Sequence, residues 1–374
     1  MSQIEIRPVE NKNQLKEYIK FVWKINANDP SWVPPLIMNY MKVLDQNKNP
    51  FFQHASAKYF MAYQNGAAVG RIAAITNQRH NEYHNDNTGF FGFLDGINDP
   101  EVFHDLLDTA KAWLREKGKD FMIGPMNPST NDEIGILVKG YDTPPYFMMT
   151  HNPPYYKNLM EELGYQKIKD VYAYYIHKDT FNFNEKLMKV AETTKEKLGV
   201  KIRSVNLKNF NEELERIRYI YNNAWSKNWG FVPMTPEEFD FLANDFKKLI
   251  DPNLVLIAEL KGKPVGFSLA LPDYNQVFKK IKNGKLLPNG WLKFLIERKK
   301  INSLRVITLG VVPELQHVGI GGIFYLETFY RGTAAGYPSA EMSWVLEDNE
   351  LMNKAAILMG GKKYKTYRIY GTAL

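Results

Sequence analysis

The stretch Arg305-Val306-Ile307-Thr308-Leu309-Gly310-Val311-Val312-Pro313-Glu314-Leu315-Gln316-His317-Val318-Gly319-Ile320-Gly321-Gly322 decides how this chain is read. Arg305 to Val311 is rich in β-branched and apolar residues and predicts a strand; Ile320 to Ala335 predicts a helix. Between them, glycines at 319, 321 and 322 remove β-carbons where backbone N–H groups can approach phosphate oxygens. The following helix adds its positive N-terminal end. The turn has no Gly-Lys-Ser/Thr of a P-loop, and no acidic residue roughly 20 positions on suits a dinucleotide ribose.

The strand belongs to a repeat. Tyr59 to Tyr63, a turn at Asn65-Gly66 and Ala68 to Ala74 predict one hairpin. Leu254 to Ala258, a turn at Lys261-Gly262-Lys263 and Val265 to Ala270 predict another, with Gly66 and Gly70 matching Gly262 and Gly266 at one offset. Each hairpin precedes the same succession. In the first copy it is a strand (Phe90 to Leu94), a helix (Pro100 to Lys117), a strand (Phe121 to Gly124), a helix (Pro154 to Leu163) and an extended end (Val171 to Ile176). The second copy runs Arg305 to Val311, Ile320 to Ala335, Ala340 to Val345, Glu350 to Met359 and Tyr364 to Tyr370. Gly164 to Lys169 and Gly360 to Lys365 close the copies at the offset of the hairpins, which makes duplication the better reading. Asp99-Pro100-Glu101 and Thr235-Pro236-Glu237-Glu238 are helix starts. The reading is an α/β fold with an α+β mixed sheet in two tandem domains, 1–178 and 201–374, joined by a linker helix over 179–200.

Composition narrows the chemistry. With 374 residues, 44% hydrophobic and 14% aromatic, the chain has material for two real cores. It contains no cysteine, which excludes disulfides, a thiol nucleophile and thiolate metal sites. No apolar run approaches the roughly 20 residues of a membrane span. No signal peptide is read at the N-terminus, so a cytoplasmic location is expected, peripheral on the inner membrane face if lipid is involved. The net charge of +7 favours an anionic partner.

The turn with its surroundings, Val-x-Pro-Glu then Gln-x-x-Gly-x-Gly, resembles motif A of the GNAT N-acetyltransferase superfamily. The resemblance continues through Ala340 to Asn349, which is similar to that family's fifth strand and the splayed junction after it, and covers about Leu254 to Leu374. Together with the repeat it implies two tandem GNAT-like acyl-CoA N-acyltransferase domains. The first departs from the motif: Leu94-Asp95-Gly96-Ile97-Asn98-Asp99-Pro100 stands where the phosphate turn should be. Two aspartates repel phosphate and a proline removes an amide donor, so only the second domain is expected to bind CoA.

The resemblance implies roles. Acetyl-CoA or a longer acyl-CoA is the expected donor, its pyrophosphate held by the main chain of Gln316, His317, Val318, Gly319, Ile320, Gly321 and Gly322. The Leu309 to Val311 backbone would pair with pantetheine, and the Val311 N–H would face the thioester oxygen, where charge develops during attack. Attack needs a deprotonated amine; Glu347 is the candidate base and Asp348 the second choice. Asn349 stands where the family often bonds the pantetheine. The tyrosine that many members use as general acid falls at Ala356, leaving Tyr364, Tyr367 or an unassisted thiolate.

Two insertions interrupt the copies. Asn127 to Pro153 is stiffened by prolines and dense in Asn, Asp, His and Tyr; it resembles a segment of bacterial two-domain GNAT-like proteins linked to long-chain N-acylation, including that of sphingoid bases. Asn131, Asp132, Glu133 and His151 are its candidate acceptor residues, set against an ordered loop that bonds itself. Tyr274 to Ser303 places Trp291, Leu292 and Phe294 beside lysines, the pattern of an interfacial helix and equally of one packed on its own domain. Peripheral membrane contact is therefore considered for 278–300. Trp225, Asn228 and Trp229 fall where GNAT proteins place acceptor-binding elements. No metal site is read; His80, His84 and Asp86 are expected to be solvated.

The leading function is CoA-dependent transfer of an acetyl or longer acyl group to a primary amine, on a small molecule or a lipid, by direct attack in a ternary complex. No nucleic-acid partner is expected. An aminoacyl-tRNA-dependent transferase and a non-catalytic CoA or lipid sensor stand as alternatives. The acceptor and the oligomeric state are not legible.

Overall fold

Alternation of apolar residues and local turn chemistry produce the following succession in a computed structural model that describes residues 3–182 and 185–374. The first half runs β1 (Ile4–Pro8), α1 (Lys12–Ile25), α2 (Ile37–Val43), β2 (Ala55–Gln64), β3 (Ala67–Asn77), α3 (Gln78–His84) and β4 (Thr88–Gly96). It continues with α4 (Pro100–Glu116), β5 (Phe121–Gly124), β6 (Met126–Asn127), β7 (Glu133–Ile134), β8 (Ile136–Lys139), α5 (Tyr155–Glu162) and β9 (Gln166–His177). The second half runs α6 (Glu185–Leu198), β10 (Val200–Ser204), α7 (Phe210–Ala224), α8 (Pro236–Phe246), β11 (Val255–Leu260), β12 (Lys263–Pro272) and α9 (Asn275–Phe278). It closes with α10 (Gly290–Glu297), β13 (Ser303–Val311), α11 (Ile320–Ala334), β14 (Ser339–Leu346), α12 (Glu350–Leu358) and β15 (Lys362–Ala373).

The repeat is visible at the level of single dihedrals. Asn65 and Gly66 turn the first hairpin with φ of 52° and 77°; Lys261 and Gly262 turn the second with 50° and 76°. Both central residues at positive φ match the twist of the flanking strands. Each hairpin shifts register one step before its turn, between Ala62 and Tyr63 and between Ala258 and Glu259. Gly70 and Gly266 also do the same work. A β-carbon on Gly70 would lie 2.6 Å from Leu106 Cδ1 of α4, and one on Gly266 would lie 2.9 Å from Phe324 Cε2 of α11. Only glycine lets each helix sit so close to its strand.

The chain forms two compact units that do not follow it continuously. Unit 1 runs from the N-terminus to Val171 and adds Asn275–Lys299 and Lys365–Leu374; unit 2 holds Tyr172–Tyr274 and Lys300–Tyr364. This differs from the continuous halves read in the sequence. The second insertion packs with the first copy: Trp23 Nε1 donates to Lys282 O at 2.7 Å, and Asn275 Nδ2 donates to Pro145 O and Tyr146 O, both at 2.9 Å. The end of β15 likewise joins unit 1, with Tyr370 opposite Gly124 and Arg368 opposite Ile136.

Unit 1 has the strand order β1-β2-β3-β4-β5-β15, with β8 also on β15; unit 2 has β9-β14-β13-β12-β11-β10. The β4–β5 and β13–β14 pairs are parallel inside otherwise largely antiparallel neighbours. In unit 1, α4 buries Val102, Phe103, Leu106, Leu107 and Leu114. At about 1.5–3 kcal/mol for each such side chain, this packing outweighs differences in helix propensity of about 0.7 kcal/mol per residue. In unit 2, β11 sorts alternate residues to two faces. Leu256 and Ala258 meet Phe324 of α11, while Val255 and Ile257 meet Ile217 and Ile220 of α7. The result is a sheet between two helical layers.

Candidate active site

The opening in unit 2 begins where two strands part. β13 and β14 pair only from Ser303 opposite Ser339 to Val306 opposite Met342. Beyond that point β13 runs to Val311 and β14 to Leu346 without facing one another in register. Backbone amides on such edges need partners, and an extended ligand can supply them. Val312 N–H donates to Val265 O at 2.9 Å, so the alternation of an antiparallel ladder turns the Leu309 and Val311 N–H groups away from β12, toward the gap. The β12 register passes from Leu269–Thr308 to Ala270–Val306 and skips Ile307. This bulge bends β13 where the gap starts, and it has no signature in the one-letter sequence.

The glycine turn closes the wide end of the gap. Pro313–Val318 forms a 3-10 turn, and Gly319 then takes φ of 89°, which favours glycine. Gln316 Nε2 donates to Ala224 O at 3.0 Å and Val311 O at 3.1 Å. That side chain therefore holds the loop against β13. A β-carbon on Gly321 would meet only Leu309 Cδ2 at 3.9 Å, and one on Gly322 would meet nothing within 4 Å. Gly322 N–H donates to Gly319 O at 3.0 Å, while the Ile320 and Gly321 N–H groups stand in the first turn of α11, where no intrahelical acceptor exists. His317 is exposed and Val318 half-buried.

Across the gap, Glu347 is half-buried just past the end of β14, and Asp348 is exposed. Asn349 Oδ1 accepts the Met352 N–H at 3.1 Å and caps α12. Asn353, one turn on, donates to Leu346 O and Asn349 O, both at 2.9 Å, and accepts from the Tyr174 hydroxyl at 2.6 Å. This brace fixes the backbone that carries Glu347; the spacing Asn349-x-x-x-Asn353 is the sequence signal for it. Ala356 is 2% exposed, packed with Met342, Val345 and Met359. A tyrosine there would have no room. Tyr364 donates to Glu341 Oε2, and Tyr367 is fully buried in unit 1.

The opposite face of β13 and β14 carries a buried polar set outside the sequence reading. Ser343 Oγ donates to Glu341 Oε1 at 2.6 Å, and Arg305 Nε donates to Ser343 Oγ at 3.0 Å. The Trp225 ring lies against Gly310 so closely that any side chain at 310 would collide with it. Asn228 N–H donates to Trp225 O at 2.8 Å, which places 225–228 as a turn beside β13. Trp229 is half-buried.

Protein YghO of Escherichia coli K12 is 36% identical over 374 residues, covering 98% of this chain and 94% of its own length. A protein of Caulobacter vibrioides named bacterial ceramide synthase is 37% identical over 384 residues, covering 100% of this chain and 98% of its own. A solved tandem GNAT protein from the clavulanic acid biosynthesis pathway aligns over 99% of this chain and 98% of its own with a TM-score of 0.56; at 10% identity this is a likeness of fold. The chain belongs to the family of these two bacterial proteins, and its fold is that of tandem GNAT proteins. No family model matches it.

Unit 1 keeps the GNAT layout and fills it with its own chain. β4 and β5 pair in parallel only from Thr88–Phe121 to Phe90–Ile123, so they too part. Here the gap holds β6: Phe93 N–H donates to Asn127 Oδ1 at 2.6 Å, and a β-carbon on Gly92 would collide with Met126 O. Asp95 is buried in an ion pair with Arg71 at 2.7 Å and accepts from Tyr156; burial raises its pKa against the pull of Arg71. Asp99 caps α4 by accepting Glu101 N–H at 2.9 Å.

The acceptor residues predicted on the first insertion are largely bonded among themselves. Ser129 Oγ donates to Asp132 Oδ2 at 2.6 Å and accepts Asn131 N–H at 3.2 Å; the Tyr40 hydroxyl donates to Glu133 at 3.2 Å. His151 Nε2 lies 2.7 Å from Asp29 Oδ2, with Nδ1 buried and without a hydrogen-bond partner. Burial lowers the His151 pKa against the pull of Asp29. The reading of His80 as solvated is corrected: it is 6% exposed, packed edge-on to Phe90 and 3.4 Å from Asp86. Its place on the inner side of α3 explains the burial, and among the described residues no three such groups form a metal cluster. On α10, Trp291, Leu292, Leu295 and Ile296 are exposed; no described helix is long and apolar enough to cross a membrane.

Proposed function

We propose that this chain moves an acyl group from an acyl-CoA to the primary amine of a lipid, with unit 2 as the catalytic domain. The observation that carries the reading is the gap between β13 and β14, ended by a glycine turn that leaves α11 uncapped by any side chain. The Ile320 and Gly321 N–H groups would take the pyrophosphate, and Leu309 and Val311 would pair with the pantetheine amides. Val311 N–H would stabilise the oxygen of the tetrahedral intermediate. Glu347 would accept the proton from the attacking amine. The amine nitrogen bonds to the thioester carbon, the carbon–sulfur bond breaks, and CoA leaves as thiolate. Its ordinary thiol pKa lets it leave without the tyrosine that Ala356 replaces.

A lipid acceptor is supported by the relative named as a ceramide synthase, which matches this chain along its whole length. Trp225, Asn228, Trp229, Asn131, Asp132 and His151 remain the proposed acceptor residues. The exposed apolar face of α10, beside Lys293, Arg298 and Lys299, would rest on the anionic membrane surface where such an amine resides. Co-sedimentation with anionic vesicles, lost in Trp291→Ser together with Leu295→Ser, checks this contact; no binding by the unaltered chain contradicts it.

The test of the activity is thiol release from hexadecanoyl-CoA with a long-chain amine. Turnover is expected, and Glu347→Gln is expected to lower kcat by about 10²–10⁴-fold. Consumption of aminoacyl-tRNA, or acyl-CoA binding without release of thiol under any amine, contradicts the proposal.

A further inference from the structure

A second feature of unit 2 deepens that reading and rests on it. Beneath α11, against β13 and β14, lies a cavity of about 60 Å³ that opens to solvent, several times the roughly 10–15 Å³ that one water needs. It touches the vertex of the gap, because Val306 and Met342, the last paired residues, both line it. It also reaches the glycine turn. Leu309 is in its wall, and Leu309 Cδ2 is the atom nearest the position of a Gly321 β-carbon.

The walls are hydrocarbon. Leu304, Val306, Leu309, Phe329, Ala340 and Met342 supply them. Polar groups at the rim are satisfied by their own neighbours: Thr333 Oγ1 donates to Phe329 O at 2.8 Å, and Ser339 Oγ donates to Ser303 Oγ at 3.0 Å. The Thr328 hydroxyl is buried without a hydrogen-bond partner. Well-packed interiors hold few voids larger than a water, and an apolar one attracts no water to fill it. Small residues maintain the space. Gly332 stands in the last turn of α11, and a β-carbon there would come within 3.0 Å of Leu304 Cδ1.

We infer that this pocket receives the acyl chain of the donor and sets the chain length the enzyme accepts. A thioester lying along Leu309 to Val311 has its acyl group beside the vertex, and Val306 and Met342 lead from there into the pocket. The lining is mostly apolar and carries no carboxylate to pair with an amine headgroup, so a hydrocarbon tail is the chemistry that fits.

The test is calorimetric titration of the full chain with CoA, acetyl-CoA, octanoyl-CoA and hexadecanoyl-CoA. Affinity should rise from acetyl to octanoyl by up to about fourfold per buried methylene. Ala340→Phe should leave acetyl-CoA binding within about twofold while reducing the octanoyl and hexadecanoyl advantage at least about tenfold. Gly332→Ala, which adds one methyl group against Leu304, should shift the preference to shorter chains. If CoA and acetyl-CoA bind but length brings no gain, or if both variants keep the unaltered chain-length profile, the pocket assignment fails and the cofactor assignment stands. If none of the four binds, both fail. If Ala340→Phe weakens a long-chain amine and spares every acyl-CoA, the pocket belongs to the acceptor and the inference is wrong.

Discussion

At matching places in the two units, α4 and α11 begin on opposite chemistry. In unit 1 the strand before the helix ends on Asp95-Gly96, with Asp95 buried against Arg71, and the helix starts under the Asp99 carboxylate. In unit 2 the strand ends on Val311 and the helix starts at Gly319 with no side-chain cap. The gap beside each strand tells the same story, since β6 occupies the one in unit 1 and, among the described residues, no strand of unit 2 enters the other. Both units fold on the same hairpins and the same glycine contacts. A duplicated fold therefore carries no anion site by itself; the proposed site stands where the helix start is left bare and the strands are left apart.

Breaking the difference from the unit 2 side should have the largest effect. Gly321→Glu places a carboxylate near the proposed phosphates. At an effective dielectric of about 20 and about 4 Å, the repulsion is about 4 kcal/mol, so the acyl-CoA Kd should rise about a thousandfold. A change under tenfold by calorimetry would remove the turn as the phosphate site. From the unit 1 side, Arg71→Met leaves Asp95 buried without its cation and should cost at least about 3 kcal/mol in urea unfolding. The acyl-CoA Kd of the folded fraction should not change; a loss of affinity would mean that unit 1 contributes to the site.

His80 offers a pH test confined to unit 1. Burial lowers its pKa from 6.5 to about 4. The unfolded chain then takes up a proton as pH falls below about 6.5, while folded His80 stays neutral until near pH 4. Stability is full above pH 6.5 and declines toward pH 4, by at most about 3 kcal/mol. His80→Gln should flatten that part of the profile; an unchanged slope would assign the loss to other groups. The smallest effect belongs to Asp99→Ala, which removes a cap worth about 1 kcal/mol and should create no acyl-CoA binding in unit 1. New binding there would show that the capping carboxylate alone had kept the site closed.

Much of this contrast was legible in the sequence because it is local. Asn65-Gly66 and Lys261-Gly262 declare their turns, Asp99 and Thr235 declare their helices, and Gly319 to Gly322 declare a bare helix start. What was not legible depends on residues far apart in the chain. The membership of Asn275–Lys299 in unit 1 rests on contacts with Trp23 and Pro145. The filling of the unit 1 gap depends on Asn127 reaching Phe93, and the bulge at Ile307 depends on the β12 register. His80 misled because two histidines and an aspartate around a helix look polar, while the face turned to Phe90 is buried.

The central claim, a single acyl-CoA site made by the bare helix start of unit 2, is tested most directly by binding stoichiometry. Titration of the full chain with hexadecanoyl-CoA should saturate at one molecule per chain, and Gly321→Glu should abolish that site in the working concentration range. Two molecules per chain, or one that survives Gly321→Glu with its affinity intact, would contradict the account.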